Sequence, residues 1–396
     1  MENVVIVSAS RTPNGKLLGN LSSVTAPQLC SKTIRDVLQK AGIKGSQVEE
    51  VIMGNVISAG IGQNPARQAA LLSGLPKSVP AFTVNKVCAS GFKAVTLAAQ
   101  EIALGEAEIV IAGGMESMSN APFLLKEMRT GKRHGHSEIV DSMICDGLWD
   151  CSYNAHMGAL CEFTAKKYRI SRADQDIFAL QSHKKAMSAT KSLKFKEEIV
   201  PIQIIKNKKG ITVDMDETIR EDTTLQKLAK LKPAFGKGKT ITAGNAPGLN
   251  DGAAALLLMS ETKANSLKLT SFAKIIGYTS NFLDPKQFPV APVRSLKSLF
   301  KKTGLELKNF DLIEINEAFA AQTLAVIKEL SINPEKVNIH GGAIALGHPI
   351  GASGARILVT LIHALRNRKK KWGLATICLG GGGGMSMAIK AIHSPA

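Results

Sequence analysis

Short apolar runs and longer helix-length stretches alternate along most of the chain. Residues 109–112 (Ile-Val-Ile-Ala) and 374–377 (Leu-Ala-Thr-Ile) have the length and composition that predict buried strands. Each run follows an apolar stretch long enough for a helix, at residues 91–102 and 354–365. Strands that alternate with helices in this way predict an α/β fold, with parallel sheets covered by helices on both faces.

The two helix–strand units follow the same plan. In each, Ala-Ser-Gly opens the helical stretch, at residues 89–91 and again at 352–354, an offset of 263 residues. The apolar segment at residues 48–55 likewise parallels the one at 310–317, at an offset of 262 residues. Two matches at nearly the same offset favour an internal duplication, although a common α/β rhythm could produce weaker echoes.

This plan breaks between residues 121 and 245. The segment contains a basic irregular stretch, an amphipathic helical stretch at residues 171–189 and a lysine-rich region. Because long irregular segments usually carry binding function, we predict an insertion over the mouth of the first half. The predicted units are an N-terminal half at 1–120, completed by about 246–270, an inserted loop domain at 121–245, and a C-terminal half at 271–396.

Length and composition are typical of a cytosolic α/β enzyme. At 396 residues the chain exceeds one ordinary core, and it combines 44% hydrophobic with only 5% aromatic residues. Its six cysteines include no Cys-x-x-Cys pair, which favours free thiols in a reducing compartment. The segment from Glu2 to Val7 begins with an acid and predicts a strand, so we expect no signal peptide. A cytoplasmic location is expected, although a processed mitochondrial protein would look the same.

The net charge of +18 points to an anionic partner: nucleic acid, a membrane surface or a polyanionic small substrate. The basic residues are scattered and few aromatic residues lie among them for base stacking, which argues against nucleic acid. No apolar run approaches the ~18 residues of a membrane span. A small anionic substrate remains, beside the plain interpretation that most of the lysines form a solvated surface.

Two cysteines and one histidine stand beside glycine-rich turns. Cys88 opens the first helical stretch, where helix amides are expected to lower the pKa of a thiol. His348 lies in Gly-His-Pro, which predicts a tight turn, and Cys378 precedes the glycines at 380–384. Two thiols and an imidazole can make and break a bond to an acyl thioester. The alternatives are a small buried hydrophobe for each cysteine and a surface or structural residue for the histidine.

The chain resembles the thiolase family over essentially its whole length, and within it the short-chain acetyl-CoA acetyltransferases. An ordered set of motifs carries the resemblance: Asn-Lys-Val-Cys-Ala-Ser-Gly at 85–91, Gly-Gly-Met-Glu-Ser-Met-Ser at 113–119, His-Met-Gly at 156–158, Asn-Glu-Ala-Phe-Ala at 316–320, Gly-Gly-Ala-Ile-Ala-Leu-Gly-His-Pro at 341–349 and Cys-Leu-Gly-Gly-Gly at 378–382. The family's fold is a duplicated five-layer α/β/α/β/α core with an inserted loop domain. The internal repeat implies the same arrangement independently.

The resemblance implies a reaction in which two acetyl-CoA molecules condense reversibly to acetoacetyl-CoA and CoA through an acetylated cysteine. Cys88 would attack the thioester, and His348 would take its proton and later polarise the thioester oxygen. Cys378, as a thiol with a mid-range pKa, would remove a proton from C2 of the second acetyl-CoA. Asn316 would hold a water in one oxyanion hole, and the backbone of Gly380 would contribute to the other.

The resemblance also implies the residues that bind coenzyme A and the acyl group: Leu148, His156, Met157, Arg220, Phe235, Ala246, Pro247, Phe288, Ala318 and Phe319. Pro247 replaces a serine that is common in relatives, which removes one hydrogen bond to the pantetheine. Phe288-Pro289 resembles members that accept a 2-methyl branch. The alternative function is therefore a 3-ketoacyl-CoA thiolase of broader or 2-methyl-branched substrate range, acting in the degradative direction. A β-ketoacyl synthase would not need Cys378.

The expected partners are acetyl-CoA, acetoacetyl-CoA and CoA, together with further copies of the chain. In tetrameric relatives the basic loop at residues 126–136 joins two dimers, so we expect a homo-oligomer, either a dimer or a homotetramer. No permanently bound cofactor and no metal are expected, and activation by a monovalent cation stays open. Lipid metabolism is the expected setting.

Overall fold

The computed structural model describes residues 2–206 and 208–393. Each of the three predicted units includes positions that lie outside the described residues: residue 1, Asn207 and residues 394–396. The strands are β1 (Val4–Arg11), β2 (Gly15–Lys16), β3 (Glu50–Gly54), β4 (Ala81–Val84), β5 (Ile109–Ser117), β6 (Phe123–Leu124), β7 (Val140–Asp141), β8 (Trp149–Asp150), β9 (Ala155–His156), β10 (Ile202–Lys206), β11 (Lys209–Val213), β12 (Asn250–Ser260), β13 (Ala273–Phe282), β14 (Leu312–Ile315), β15 (Trp372–Leu379) and β16 (Gly383–Ala391).

The helices alternate with these strands. They are α1 (Ala26–Ala41), α2 (Pro65–Leu72), α3 (Ser90–Leu104), α4 (Met157–Lys167), α5 (Arg172–Lys191), α6 (Leu225–Ala229), α7 (Glu261–Ser266), α8 (Ala291–Thr303), α9 (Ala320–Leu330), α10 (Ala343–Leu346) and α11 (Ile350–Asn367). A π-helical segment, Met143–Leu148, precedes β8.

The main sheet consists of two series of strands in the same order. The first series is β1-β12-β5-β3-β4 and the second is β13-β16-β15-β14. An isolated bridge between Ile313 and Val337 stands where β4 would pair in the second series. Within residues 2–206 and 208–393, the two series are joined where β1 pairs with β13, through Val5 with Lys274 and Ile6 with Ala273. The strands that the internal repeat aligns, β3 with β14 and β5 with β15, therefore occupy equivalent positions.

Each series of strands forms one half of the main sheet, called here the first and the second sheet. Both are mixed, so the expectation of parallel sheets is wrong for several strand pairs. β3 runs parallel to β4 and β5, and β14 runs parallel to β15. β12 and β16 run antiparallel to the strands on both sides of them. β16 follows β15 after a short glycine turn, and a chain that reverses in such a turn returns antiparallel. Apolar periodicity indicates burial but not direction, which is why the sequence pattern could not orient these two strands.

Five layers form around three main cores. α1 and α2 pack on the outer face of the first sheet, and α8 and α9 pack on the outer face of the second. α3 and α11 lie between the two sheets and share one core with both of them. This core contains large apolar side chains such as Phe92 and Leu358, so it joins the two halves into one body.

The two central helices cross in close contact because glycines lie where they meet. A Cβ atom on Gly354 of α11 would lie 2.5 Å from the backbone nitrogen of Phe92 in α3. A Cβ atom on Gly91 would lie 3.0 Å from the carbonyl oxygen of Gly351. The glycine of each Ala-Ser-Gly motif therefore lets the partner helix approach.

The segment Val87–Leu104 is long and apolar enough to span a membrane by length and composition, contrary to the expectation that no run comes close to that limit. This segment is essentially α3, the central helix of the first half. Phe92, Val95 and Ile102 in it are fully buried between the sheets. Packing inside the protein accounts for its apolar character.

The segment between β5 and β12 contains α4, α5, α6, the β10–β11 hairpin and several two-residue strands. α4 packs against α9, and α5 packs against α9 and α10. Since α9 and α10 belong to the second half, the segment covers that half as well, whereas the sequence predicted contact with the mouth of the first half. The boundaries of the three predicted units stay a prediction.

Candidate active site

A cavity of about 240 Å³ lies where the N-terminal ends of α3 and α11 meet the segment between β5 and β12. Three of the predicted catalytic residues, Cys88, His348 and Gly380, line it. Nine of the ten predicted binding residues also line it: Leu148, His156, Met157, Phe235, Ala246, Pro247, Phe288, Ala318 and Phe319. The tenth, Arg220, lies in an adjoining cavity. The structure thus brings together Cys88 and Gly380, which are 292 positions apart in the chain.

Cys88 is held by a strained turn before α3. Val87 has φ of +49°, a conformation that is rare for a β-branched residue. Its N–H donates to Asn85 Oδ1 at 2.9 Å, and Ser90 Oγ donates to its carbonyl oxygen at 2.6 Å. Because the turn is fixed on both sides, the Cys88 thiol reaches the cavity from a defined position.

The pKa of Cys88 in the free protein is raised to about 11, which corrects the expectation that the helix amides would lower it. Burial is the main cause, because a thiolate loses its hydration there. The backbone N–H groups of Gly380 and Cys88 act in the opposite direction, since both stabilise the thiolate. The thiol is therefore protonated at neutral pH and needs a base.

His348 lines the same cavity as Cys88. Its backbone N–H donates to Asn250 Oδ1 at 2.8 Å, and its Nδ1 lies 2.5 Å from Ser353 Oγ. Its Nε2 lies 3.5 Å from Asn316 Nδ2. Burial, followed by the positive charge of Arg356, lowers the pKa of His348 to about 3. The imidazole is thus neutral in the free protein at physiological pH.

Cys378 and Asn316 lie behind the cavity wall. Cys378 is the penultimate residue of β15 and is fully buried in an apolar cluster with Met157, Cys161 and Phe319. Burial, together with the nearby Cys88, raises its pKa well above the ordinary value, so the expected mid-range pKa is wrong for the free protein. Asn316 is also buried, and its Oδ1 has no hydrogen-bond partner among the described residues.

Aromatic and sulfur-containing side chains close the cavity. His156 and Phe235 stack with their ring centres 4.8 Å apart. A Cβ atom on Gly158 would lie 2.0 Å from the Phe235 ring, so glycine is needed where α4 begins. Met157 and Phe288 are almost fully buried and leave little space beyond a small acyl group.

A second cavity, of about 380 Å³, continues from the first and shares Ala246 and Gly248 with it. Its wall carries three cationic side chains, Lys16, Arg220 and Lys227. Its anionic side chains are engaged: Glu217 accepts from backbone N–H groups including that of Lys16, and Asp222 accepts from Lys227. An apolar cavity that opens into a cationic one suits a ligand with an apolar arm and a polyanionic end.

Sequence reasoning missed three residues that hold the site. Glu116 is fully buried and accepts from the N–H of Val56 and Gly351, at 3.1 and 2.9 Å, so it ties the start of α11 to the first half. Asn250 and Ser353 fix His348. Glu116 and Ser353 both lie in motifs that carry the resemblance or the repeat, but their partners are distant in the chain and give no local signal.

A metal centre is not indicated. Among residues 2–206 and 208–393, no group of three or more His, Cys, Asp or Glu side chains is arranged to hold a metal ion. Cys88, Cys378 and the other four cysteines are free thiols.

Comparisons with known proteins agree over the whole chain. The family model "Thiolase, N-terminal domain" matches residues 4–262 and "Thiolase, C-terminal domain" matches residues 269–391. Acetyl-CoA acetyltransferase from Cupriavidus necator is 52% identical over 392 residues, which cover 98% of this chain and 100% of that protein. The Escherichia coli protein of the same name is 50% identical over 394 residues, 99% of this chain and 100% of that protein.

A solved structure is similarly close. The crystal structure of the Bacillus anthracis acetyl-CoA acetyltransferase superposes with a TM-score of 0.97 at 44% sequence identity, and covers 99% of both chains. The expected duplicated α/β fold is confirmed.

Proposed function

The chain belongs to the thiolase family, and we propose that it is an acetyl-CoA C-acetyltransferase. It condenses two acetyl-CoA molecules reversibly to acetoacetyl-CoA and CoA. The observation that carries this proposal is a small apolar cavity lined by a cysteine thiol, a neutral buried histidine and a glycine backbone. The relatives named acetyl-CoA acetyltransferase over the full chain support the acetyl group as the unit transferred.

The first half-reaction acetylates Cys88. His348 Nε2 takes the thiol proton as the sulfur attacks the thioester carbonyl of acetyl-CoA. The negative charge that develops on the carbonyl oxygen faces the N–H groups of Gly380 and Cys88, the same groups that stabilise the thiolate. The carbon–sulfur bond to CoA then breaks, and the leaving CoA thiolate takes the proton from His348.

The second half-reaction forms the carbon–carbon bond. His348 Nε2 takes the thiol proton of Cys378, and the resulting thiolate removes a proton from C2 of a second acetyl-CoA. The enolate oxygen that forms is stabilised by the Nε2–H of His348 and by a water held by Asn316. The C2 carbanion attacks the acetyl-Cys88 carbonyl. As the bond to the Cys88 sulfur breaks and acetoacetyl-CoA is released, the Cys88 thiolate takes the proton from His348, which returns both groups to their starting state. The unpartnered Oδ1 of Asn316 supports this role, because a buried amide oxygen needs a donor.

The size of the cavity favours a short acyl group. Met157, Phe288 and Phe319 border it and are each at least nine-tenths buried. A longer chain would need one of them to move, which costs packing energy. The alternative of a degradative thiolase with a broader or 2-methyl-branched range is not favoured by these observations or by the names of the relatives.

The two adjoining cavities divide coenzyme A between them. The apolar cavity takes the acyl group and the pantetheine arm, along Leu148 and Phe235. The cationic cavity takes the nucleotide, with its phosphates near Lys16, Arg220 and Lys227. Charge complementarity supports this assignment, since the phosphates of CoA carry all of its negative charge. Thioester chemistry of this kind needs no permanently bound cofactor.

A homo-oligomer and a cytoplasmic location complete the proposal. The β6–β7 region and the loop at residues 126–136 expose apolar side chains, including Phe123, Met128 and Ile139. Exposed apolar side chains of this kind suit contact with another copy of the chain. The free thiols suit a reducing compartment, and the reaction places the protein in lipid metabolism.

Single-turnover acylation with radiolabelled acetyl-CoA tests the function. We expect label on a peptide that contains Cys88, loss of label in Cys88→Ala, and transfer of label to acetoacetyl-CoA when unlabelled acetyl-CoA is added. Cys151→Ala is the matched control, because this thiol is exposed and outside the cavity. Label that survives in Cys88→Ala, or a folded wild type that takes no label, would overturn the proposal.

A further inference from the structure

A serine on α11 contacts the histidine that faces the cavity. Ser353 Oγ lies 2.5 Å from His348 Nδ1 and 2.8 Å from the carbonyl oxygen of Pro349. Ser353 is fully buried and His348 is nearly so, which leaves no bulk water to exchange hydrogen bonds with them. A hydroxyl group has one proton, so it can donate in only one of these two contacts.

The carbonyl decides which contact receives the proton. The Pro349 oxygen is an acceptor only, and it already receives the backbone N–H groups of Ala352 and Ser353, each at 2.9 Å. At 2.8 Å from this oxygen, the Ser353 hydroxyl avoids repulsion between lone pairs when it donates to it, and it then accepts from the ring. We infer that Ser353 is a positioning residue that holds the neutral His348 in the tautomer protonated at Nδ1, so that Nε2 is the free base. The tautomer follows from the contacts alone, and only the role of Nε2 as a base rests on the proposed function.

The other side of the ring agrees with this assignment. Nε2 faces Asn316 Nδ2, an amide N–H donor, at 3.5 Å. An unprotonated Nε2 is compatible with that donor, whereas an N–H at Nε2 would point at it. The reverse tautomer would require Ser353 to abandon Pro349 and the Asn316 amide to turn over. The hydrogen bond from the His348 backbone N–H to Asn250 Oδ1 holds the backbone that carries the ring.

The first half contains an equivalent serine. Ser90 stands in the Ala-Ser-Gly motif of α3 as Ser353 does in that of α11. Its hydroxyl also donates to a carbonyl that precedes the helix, that of Val87, and it accepts from the Lys86 N–H at 2.8 Å. Each serine therefore donates to a carbonyl at its own helix start and accepts one N–H. In α11 the accepted N–H belongs to the imidazole.

This arrangement lets one nitrogen carry out both roles of His348. Nε2 takes the proton from Cys88, and the N–H that it then bears can donate to a thioester oxygen in the cavity. Nδ1–H stays on Ser353 throughout. Without Ser353, the ring can hold its proton on Nε2, and that tautomer presents no base to the thiol.

The tautomer can be measured directly. Nitrogen-15 NMR of histidine-labelled protein, with the His348 signals identified by their loss in His348→Asn, reports which ring nitrogen carries the proton. We expect a protonated Nδ1 and an unprotonated Nε2 in the wild type. A wild-type spectrum with the proton on Nε2 would overturn the inference. This readout needs no substrate, so it stands even if the proposed reaction is wrong.

Kinetics of two variants test the consequence. In Ser353→Ala the backbone bond to Pro349 remains, so the helix start is kept. We expect kcat to fall by about 10²-fold, within the range for loss of general base catalysis, with KM nearly unchanged. Ser353→Thr keeps the hydroxyl and should recover most of kcat. The role would be contradicted if Ser353→Ala kept the kcat of the wild type. It would also be contradicted if Ser353→Thr kept the tautomer of the wild type and still lost as much kcat as Ser353→Ala.

Discussion

Replacement of Gly354 by alanine would place a methyl group between the two central helices. The new Cβ atom would lie 2.5 Å from the backbone nitrogen of Phe92 and 2.6 Å from its Cβ atom. Both contacts are with rigid parts of α3 rather than with the end of a flexible side chain. The clash can be relieved only if α3 and α11 move apart.

The size of the effect follows from these distances. Carbon contacts are favourable at about 3.5 Å and beyond, so the helices must separate locally by about 1 Å. Overpacking of this kind costs about 1–3 kcal/mol, and the backbone contact places Gly354→Ala at the upper end. For a chain of this length, the melting temperature should fall by about 3–4 °C. Because α3 follows Cys88 and α11 follows His348, a displacement of about 1 Å should also lower kcat by about 10²-fold.

Thermal melting by circular dichroism and the condensation rate at a temperature well below the transition measure the two effects. Gly210→Ala is the matched control, since a Cβ atom there meets no atom within 4 Å and the residue lies on the β10–β11 hairpin. We expect this control to keep the stability and kcat of the wild type. The reasoning is refuted if Gly354→Ala melts with the wild type and keeps its kcat, or if Gly210→Ala loses as much.

Three further predictions concern the site and the interior. Cys378→Ala should lower the condensation rate by on the order of 10²–10⁴-fold and keep single-turnover acetylation of Cys88; loss of both would place Cys378 in the first step. Lys16→Ser and Lys227→Ser should each raise the KM for acetyl-CoA by about three- to tenfold and leave the KM for acetyl-pantetheine, which lacks the nucleotide, unchanged. An equal rise of KM for the two acetyl donors would refute the nucleotide site. Burial raises the pKa of Glu314 from 4.5 to about 8, so the folded protein holds this proton more tightly than the unfolded chain does. The stability that Glu314 contributes is therefore lost as pH rises from about 4.5 to about 8. Glu314→Gln should flatten the fall in melting temperature over that range, and an unchanged slope would contradict this prediction.

Much of the fold could be predicted from the sequence because apolar runs and repeated motifs are local signals. The strands β3 and β14, and the helices α3 and α11, stand where the repeated segments predicted them. The antiparallel strands β12 and β16 could not be oriented in this way. Their direction depends on how the chain returns to the sheet, and no local pattern encodes that route.

The candidate site shows the same division. Cys88, His348 and Gly380 stand in motifs, and the structure places all three at one cavity. The pKa values of Cys88 and Cys378 were expected too low, because burial outweighs the nearby backbone donors. The depth of a side chain depends on segments far away in the sequence, so desolvation is a property of the assembled fold.

The position of β12 has a consequence for how the chain folds during synthesis. β12 is buried along its whole length between β1 and β5, yet it leaves the ribosome only after the inserted segment. At a synthesis rate of about 5–20 residues per second, the roughly 140 residues from the end of β5 to the end of β12 take about 7–28 s. During that time β5 has one unpaired edge and β1 is unpaired on both edges, because β13 is made later still. Each of these edges is open to pairing with another nascent chain. Full-length synthesis on a crowded polysome therefore depends on how well the inserted segment, or a chaperone, shields this gap until β12 fills it.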